Sequence, residues 1–130
     1  MAKEVIIPAG VFDSRKMFGY SQAYKVGKTI YVAGQGPWDE TGKVVGKGDI
    51  AVQARQTYEN IKRTLAAAGA TMNDIVKINI YLINLDQFRQ AGGVIKEYVG
   101  GNLAPATAVQ VSRLWFPDQL LEIDVVASLE

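Results

Sequence analysis

The chain has 130 residues, a net charge of +1 with acids and bases interspersed, and neither Cys nor His. Its length fits a single domain over residues 1–130, and 48 % apolar with 21 % charged residues is the composition of a soluble globular protein. These features exclude disulfides, thiolate nucleophiles, Ser-His-Asp triads and His- or Cys-based metal sites, and they argue against nucleic acid or an anionic membrane as partner. No apolar run approaches the ~18 residues of a membrane span, and the start MAKEVIIPAG lacks the apolar core of a signal peptide, so a cytoplasmic location is expected. Any catalysis falls to Glu, Asp, Lys, Arg, Tyr, Ser, Thr, backbone groups and water.

KEVIIPAG reads as a short strand stopped by Pro8 and Gly10, and VFDSRKMFG as an irregular loop. YSQAYKVGKTIYVAGQ predicts two strands around a tight turn at Gly27-Lys28, with Tyr24, Val26, Ile30 and Val32 pointing inward. GPWDETGKVVGKGD is a turn-rich connection. The clearest helix follows: Asp49 caps it, Ile50, Ala54, Thr57, Ile61, Leu65 and Ala68 recur at helical spacing, and Gly69 stops it.

DIVKINIYLINL alternates as a strand whose second face is half apolar, so it belongs in the sheet interior or under cover on both sides. DQFRQAGGVIKEYVGG predicts a second helix capped by Asp86, with Phe88, Ala91, Ile95 and Tyr98 or Val99 as its inner stripe. Gly92-Gly93 in its middle leaves two options: a close backbone approach, or a local break. TAVQVSRL and LLEIDVVAS close the chain as strands joined by WFPDQ. The order β-β-β-α-β-α-β-β suggests an α+β layer, one mixed sheet with two helices on one face. The other face needs cover, which favours an oligomer.

LLEIDVV puts Glu122 and Asp124 on one strand face and Leu121, Ile123 and Val125 on the other. Either the acidic face is simply wet, or a carboxylate has been placed in a pocket.

The chain resembles the RidA (YjgF/YER057c/UK114) family from about Ile6 to Ala127. GYSQAYKVGKTIYVAGQGPWDETGKVV is similar to the family's Tyr-Ser-Gln-Ala and Gly-Gln stretch. DIAVQARQTYENIKRTLAAAGATMNDIVKINIYL is similar to its Gln-x-Arg-Gln helix and Asp-Ile-Val-Lys strand, and PATAVQVSRL with LLEIDVVAS to its closing strands. The resemblance implies a chorismate-mutase-like fold and a homotrimer with a central β-barrel and clefts between subunits. It also implies cofactor-free hydrolysis of reactive imines or enamines, small-molecule metabolites, to carbonyl compounds and ammonia.

By the same resemblance Glu122 matches the glutamate that orients or deprotonates water, and Tyr20 a tyrosine lining the cleft. A solvated strand residue and a core tyrosine are the plain alternatives. Asp124 reads as structural, and Gly34-Gln35 as a turn requirement. The imine deaminases carry an arginine that clamps the substrate carboxylate; aligning VQV puts Ala106 there, beside Thr107, and the family asparagine falls at Gly92. Substrate would then rest on backbone groups at Ala106 and Thr107. Trp38, Phe18, Trp115 and Phe116 suit a larger aromatic pocket, and Arg15 a replacement cation, against packing and a solvated loop respectively. The lost arginine also admits a second reading, a non-catalytic trimeric binder of small molecules or proteins. Ribonuclease activity, sometimes attached to the family, finds no basic stripe here.

Overall fold

A two-residue turn leaves no freedom in strand register, and that sets one half of the sheet. In the structure, a computed structural model describing residues 2–130, Lys3–Ile6 (β1), Ala23–Val26 (β2) and Thr29–Gln35 (β3) run antiparallel around the Gly27-Lys28 turn. Gly27 takes a positive φ of 61°, which a side-chain-free residue adopts without strain. Ile75–Leu82 (β4), Ala106–Gln110 (β5) and Leu121–Ser128 (β6) complete a six-stranded sheet in the order β1-β2-β3-β6-β4-β5. Only the β4–β5 pair is parallel, so the sheet is mixed, and β4 sits in its interior as its two-sided pattern predicts.

The register corrects part of the inward set. Ile30 and Val32 are buried, but Ile30 stands opposite Lys25 and Val32 opposite Ala23, so Ala23 and Lys25 share their face. Tyr24 and Val26 point to the opposite face. The lysine is tolerated there because its stem runs under α2 (Ile50–Ala67) and its Nζ donates to the Ala68 carbonyl at 3.1 Å, at the negative end of the helix.

Asp49 caps α2 as expected, accepting from the Ala51 and Val52 amides, and Gly69 follows its last turn at φ 82°. Helix α2 and α3 (Gly92–Val99) lie on one sheet face. Tyr58, Ile61 and Leu65 meet Ile30, Ile80, Leu121, Ile123 and Val125 there in a single core.

Three further expectations are revised. The stretch expected to be a loop contains a helical turn, α1 (Ser14–Met17), because Asp13 caps it and accepts from the Arg15 amide. Gly34 and Gln35 do not form a turn; both lie in β3, where the pairing with β6 shifts register between Val32 and Gln35. The second helix is capped by Asn84, not Asp86, and starts as a 3₁₀ segment over Leu85–Ala91 before α3 begins at Gly92. Nothing approaches within 4 Å of where a Cβ would stand on Gly92 or Gly93, so the pair marks a local break and not a close approach. The apolar stripe is as expected: Ala91 is fully buried, and Phe88, Ile95, Tyr98 and Val99 pack against the core.

Opposite the helices, the sheet carries apolar groups in the open. Val5, Tyr31 and Val109 on that face are each at least 41 % exposed.

Candidate functional site

Strand β6 alternates cleanly: Leu121, Ile123, Val125 and Ala127 are buried, while Glu122, Asp124 and Val126 face the open side. Glu122 is nevertheless half-buried. Its Oε1 accepts from Gln119 Nε2 at 3.1 Å, and its Oε2 lies directly over Gly34, where any Cβ would collide with it. Gly36, two residues on, clears space in the same way for Trp38 and Gln119. The Gly-Gln-Gly stretch thus presents two bare positions to the site while Gln35 points inward, 1 % exposed and hydrogen-bonded to Gln22. Both glycines are needed for close approach, not for a turn.

Tyr20 stands near enough to feel the Glu122 charge. Burial first, and that charge second, push its phenol up from the ordinary range. Its backbone is fixed by α1, where the buried Ser14 hydroxyl donates to the Tyr20 carbonyl at 2.7 Å. Its ring stacks on Phe18 at 5.6 Å, and Phe18 meets Trp115 edge-on at 5.0 Å. Trp38 and Phe116 complete this cluster, with Trp38 buried and Trp115 64 % exposed. Trp38 is therefore a wall behind the site, and Trp115 its solvent-facing edge.

Next to Glu122 opens a cleft of about 570 Å³ lined by Arg113, Leu114, Trp115 and Glu122 itself. Arg113 makes no ion pair among the described residues, and its only side-chain hydrogen bond is a 3.4 Å contact to its neighbour's carbonyl. Burial holds the Glu122 carboxyl above the usual carboxylate range, the Gln119 hydrogen bond opposes this, and the nearby Asp124 charge adds to it. Asp124 is engaged, accepting from Asn79 Nδ2 at 2.9 Å. Tyr81, opposite Glu122 on β4, has its phenol raised by burial and by the Asp124 and Glu122 charges.

The remaining candidates lie elsewhere in the chain. Arg15 is tied to Asp13 by a bidentate pair at 2.7 and 2.9 Å, on the surface. Ala106 and Thr107 open the edge strand β5, two strands from β6. Thr107 shares a row with Asn79 and Asp124, the next row on that face from Tyr81 and Glu122. Gly92 opens α3 with free space around it. Within one chain none of these lines the Glu122 cleft. No group of three or more acids among the described residues is placed to hold a metal ion, and no helix among them is long and apolar enough to cross a membrane.

Gln119 and the facing position of Arg113 were missed from sequence. Gln119 belongs to no periodic pattern, and only its spacing of three residues before Glu122 hints at contact.

The family model described as Endoribonuclease L-PSP matches residues 14–129. The chain belongs to the RidA (YjgF) family. As a Rid chain it is 47 % identical, over the full length of both, to a RutC family protein of Pyrococcus abyssi. It is 35 % identical to the 3-aminoacrylate deaminase RutC of Acinetobacter baylyi, covering 98 % of each chain. Among solved structures, the Rid family protein YyfA of Yersinia pestis superposes with a TM-score of 0.89 at 33 % identity, over 98 % of this chain and 100 % of the other. The six-stranded mixed sheet with its helices is therefore the Rid fold, in a family that includes enamine and imine deaminases.

Proposed function

We propose that this Rid chain is a hydrolytic deaminase of a reactive enamine or imine metabolite, acting without a cofactor and releasing ammonia. One observation carries the reading: Glu122 is a half-buried carboxylate with one oxygen held by Gln119 and the other lying in the space that Gly34 leaves clear. Deaminase relatives such as the RutC of Acinetobacter baylyi support it.

The chemistry asks little of the protein. An enamine protonated on carbon becomes an iminium ion, whose carbon is already electrophilic. A water oxygen bonds to that carbon as Glu122 accepts the water's proton. Glu122 then hands the proton to the nitrogen, the C–N bond breaks as C=O forms, and the departing ammonia takes the hydroxyl proton to leave as ammonium. Counted from the iminium ion, one water enters and one carbonyl compound and one ammonium leave; an enamine first takes up one proton from solvent. A carboxyl raised by burial is suited to both transfers, since its affinity for a proton lies nearer to neutral pH. In this reading Tyr20 hydrogen-bonds water or substrate, while Trp115 covers a planar π system and Arg113 meets a carboxylate in the cleft they line with Glu122.

The same reading takes the molecule to be a homotrimer, with each cleft completed by a neighbour that brings Ala106 and Thr107 to Glu122. The test is ammonia release from enamines and imines generated in situ, including 3-aminoacrylate, 2-aminoacrylate, 2-iminopropanoate and 2-aminomuconate, with wild type beside Glu122→Gln. Turnover that collapses in the variant supports the deaminase. Rates equal to background in both would leave the cleft as a binding site, the reading that Ala106 in place of the arginine favours.

A further inference from the structure

A carboxylate that must take a proton from water needs its lone pairs aimed, and the segment between β5 and β6 is built to aim this one. Gln119 is 1 % exposed and uses every polar group it has. Its Nε2 donates to Glu122 Oε1 and to the Leu121 carbonyl, both at 3.1 Å, and its Oε1 accepts from the Phe116 amide at 3.3 Å. These contacts fix which end of the amide faces Glu122.

The peptide groups on either side of Gln119 are pinned by a single side chain. Gln53 of α2, fully buried, donates to the Asp118 carbonyl at 2.8 Å and accepts from the Leu120 amide at 2.8 Å. Its Nε2 also donates to the Gly46 carbonyl at 3.1 Å. A buried glutamine is costly unless satisfied, and this one is satisfied by the loop that carries Gln119 and by the Gly46 carbonyl. Gly36 completes the arrangement, because a side chain there would displace Gln119.

We propose that Gln119 is a positioning residue for Glu122, holding Oε1 so that Oε2 faces water and substrate over Gly34, and that Gln53 fixes Gln119 in turn through the 118–120 backbone. The part played in the reaction rests on the deaminase reading above; the hold on the carboxylate does not. The electrostatic setting explains why a donor is needed. Asp124 on β6 is a like charge, Tyr20 after α1 and Tyr81 on β4 are neutral phenols, and Arg113, which lines the same cleft, makes no ion pair with Glu122. The Gln119 hydrogen bond favours the ionised form against burial and Asp124.

The test follows the Glu122 side-chain carboxyl by ¹³C NMR through a pH titration, in wild type and in Gln119→Met, which keeps the volume and removes the amide. Glu122 is expected to titrate at higher pH in the variant. The acid limb of the kcat profile should move the same way, and kcat should fall on the order of tenfold with KM little changed. Gln53→Met should shift the titration in the same direction by less. An unchanged Glu122 titration in a folded Gln119→Met overturns the proposal. Should that variant fail to fold, the Gln119 side-chain amide signals of the wild type decide: they should move with the Glu122 titration and stay flat in Glu122→Gln. Signals that ignore Glu122 in the wild type overturn it equally. Both NMR measurements stand even if no substrate on the panel is turned over, so failure of the deaminase reading is seen separately.

Discussion

Glu122 occupies a place that disfavours its own charge, and this separates stability from activity at one residue. Its folded pKa lies above the value of 4.5 that an unperturbed glutamate shows. Below that ordinary range the carboxyl is protonated in folded and unfolded chains alike and contributes nothing. As pH rises through the folded value, the native state surrenders a proton it binds more tightly than the unfolded chain does. Folding stability falls as pH rises above the ordinary range, and the cost is felt at neutral pH. Glu122→Gln is therefore expected to melt higher than wild type at about pH 7, with the gap closing near about pH 4, while ammonia release drops roughly 10²-fold or more. Thermal melts at the two pH values beside the ammonia assay check it, and a variant that melts lower at neutral pH contradicts it. Gly34 gives a steric counterpart. Gly34→Ala puts a methyl where Glu122 Oε2 lies, so the carboxylate must move and kcat should fall by about tenfold or more, in a protein with wild-type far-UV circular dichroism. Arg113→Met removes the unpaired cation of the cleft; KM for carboxylate-bearing substrates should rise about tenfold with kcat largely kept.

Elements were legible where periodicity was long and hidden where a few local hydrogen bonds decided the matter. Helix α2 and strands β4 and β6 announce themselves through long runs of apolar spacing, and Asp49 and Gly69 bracket the helix. The α1 turn is only four residues long, too short for a period, and depends on Asp13 as cap. The inward set of β2 went astray because the more apolar pair there, Tyr24 and Val26, lies on the open face, and the hairpin register, not hydrophobicity, turns Ala23 and Lys25 inward. Glu122 stood out as a candidate through the family pattern, but Gln119 and Gly36 did not, since they meet where the end of β3 passes the segment before β6, and no spacing encodes that contact. The break at Gly92-Gly93 makes its own prediction. Gly93 lies inside α3 with no positive φ and nothing near its absent Cβ, so Gly93→Ala should stabilise the protein by about 0.4–1 kcal/mol, chiefly by restricting the unfolded chain. Denaturant melts at matched protein concentration measure this, and a lower midpoint would mean that α3 needs the flexibility its glycines supply.

At the scale of the molecule, one sheet face is covered by α2 and α3 and the other is not, yet the open face carries Val5, Tyr31 and Val109 beside the Glu122 and Asp124 rows. Burying such a face against copies of itself removes apolar area from water at roughly 25 cal/mol per Å². It also covers the exposed edge strand β5, whose unpaired backbone otherwise invites aggregation. The two candidates stranded on that edge, Ala106 and Thr107, then have a purpose, since an edge strand meets a neighbour before it meets its own β6. Assembly and catalysis should accordingly fail together. Val109 is the informative position: it lies in the row of Tyr81 and Glu122, is 41 % exposed, and belongs to neither the buried core nor the cleft lining. Light scattering coupled to gel filtration should give a trimer for wild type and a smaller species for Val109→Lys, because three lysines cannot be desolvated together at one interface. Ammonia release should drop with the mass and return as far as high protein concentration restores the assembly. A wild-type mass of one chain with undiminished turnover would place the whole of the working site within a single subunit, and Arg113 would then be the cation that stands in for the missing arginine.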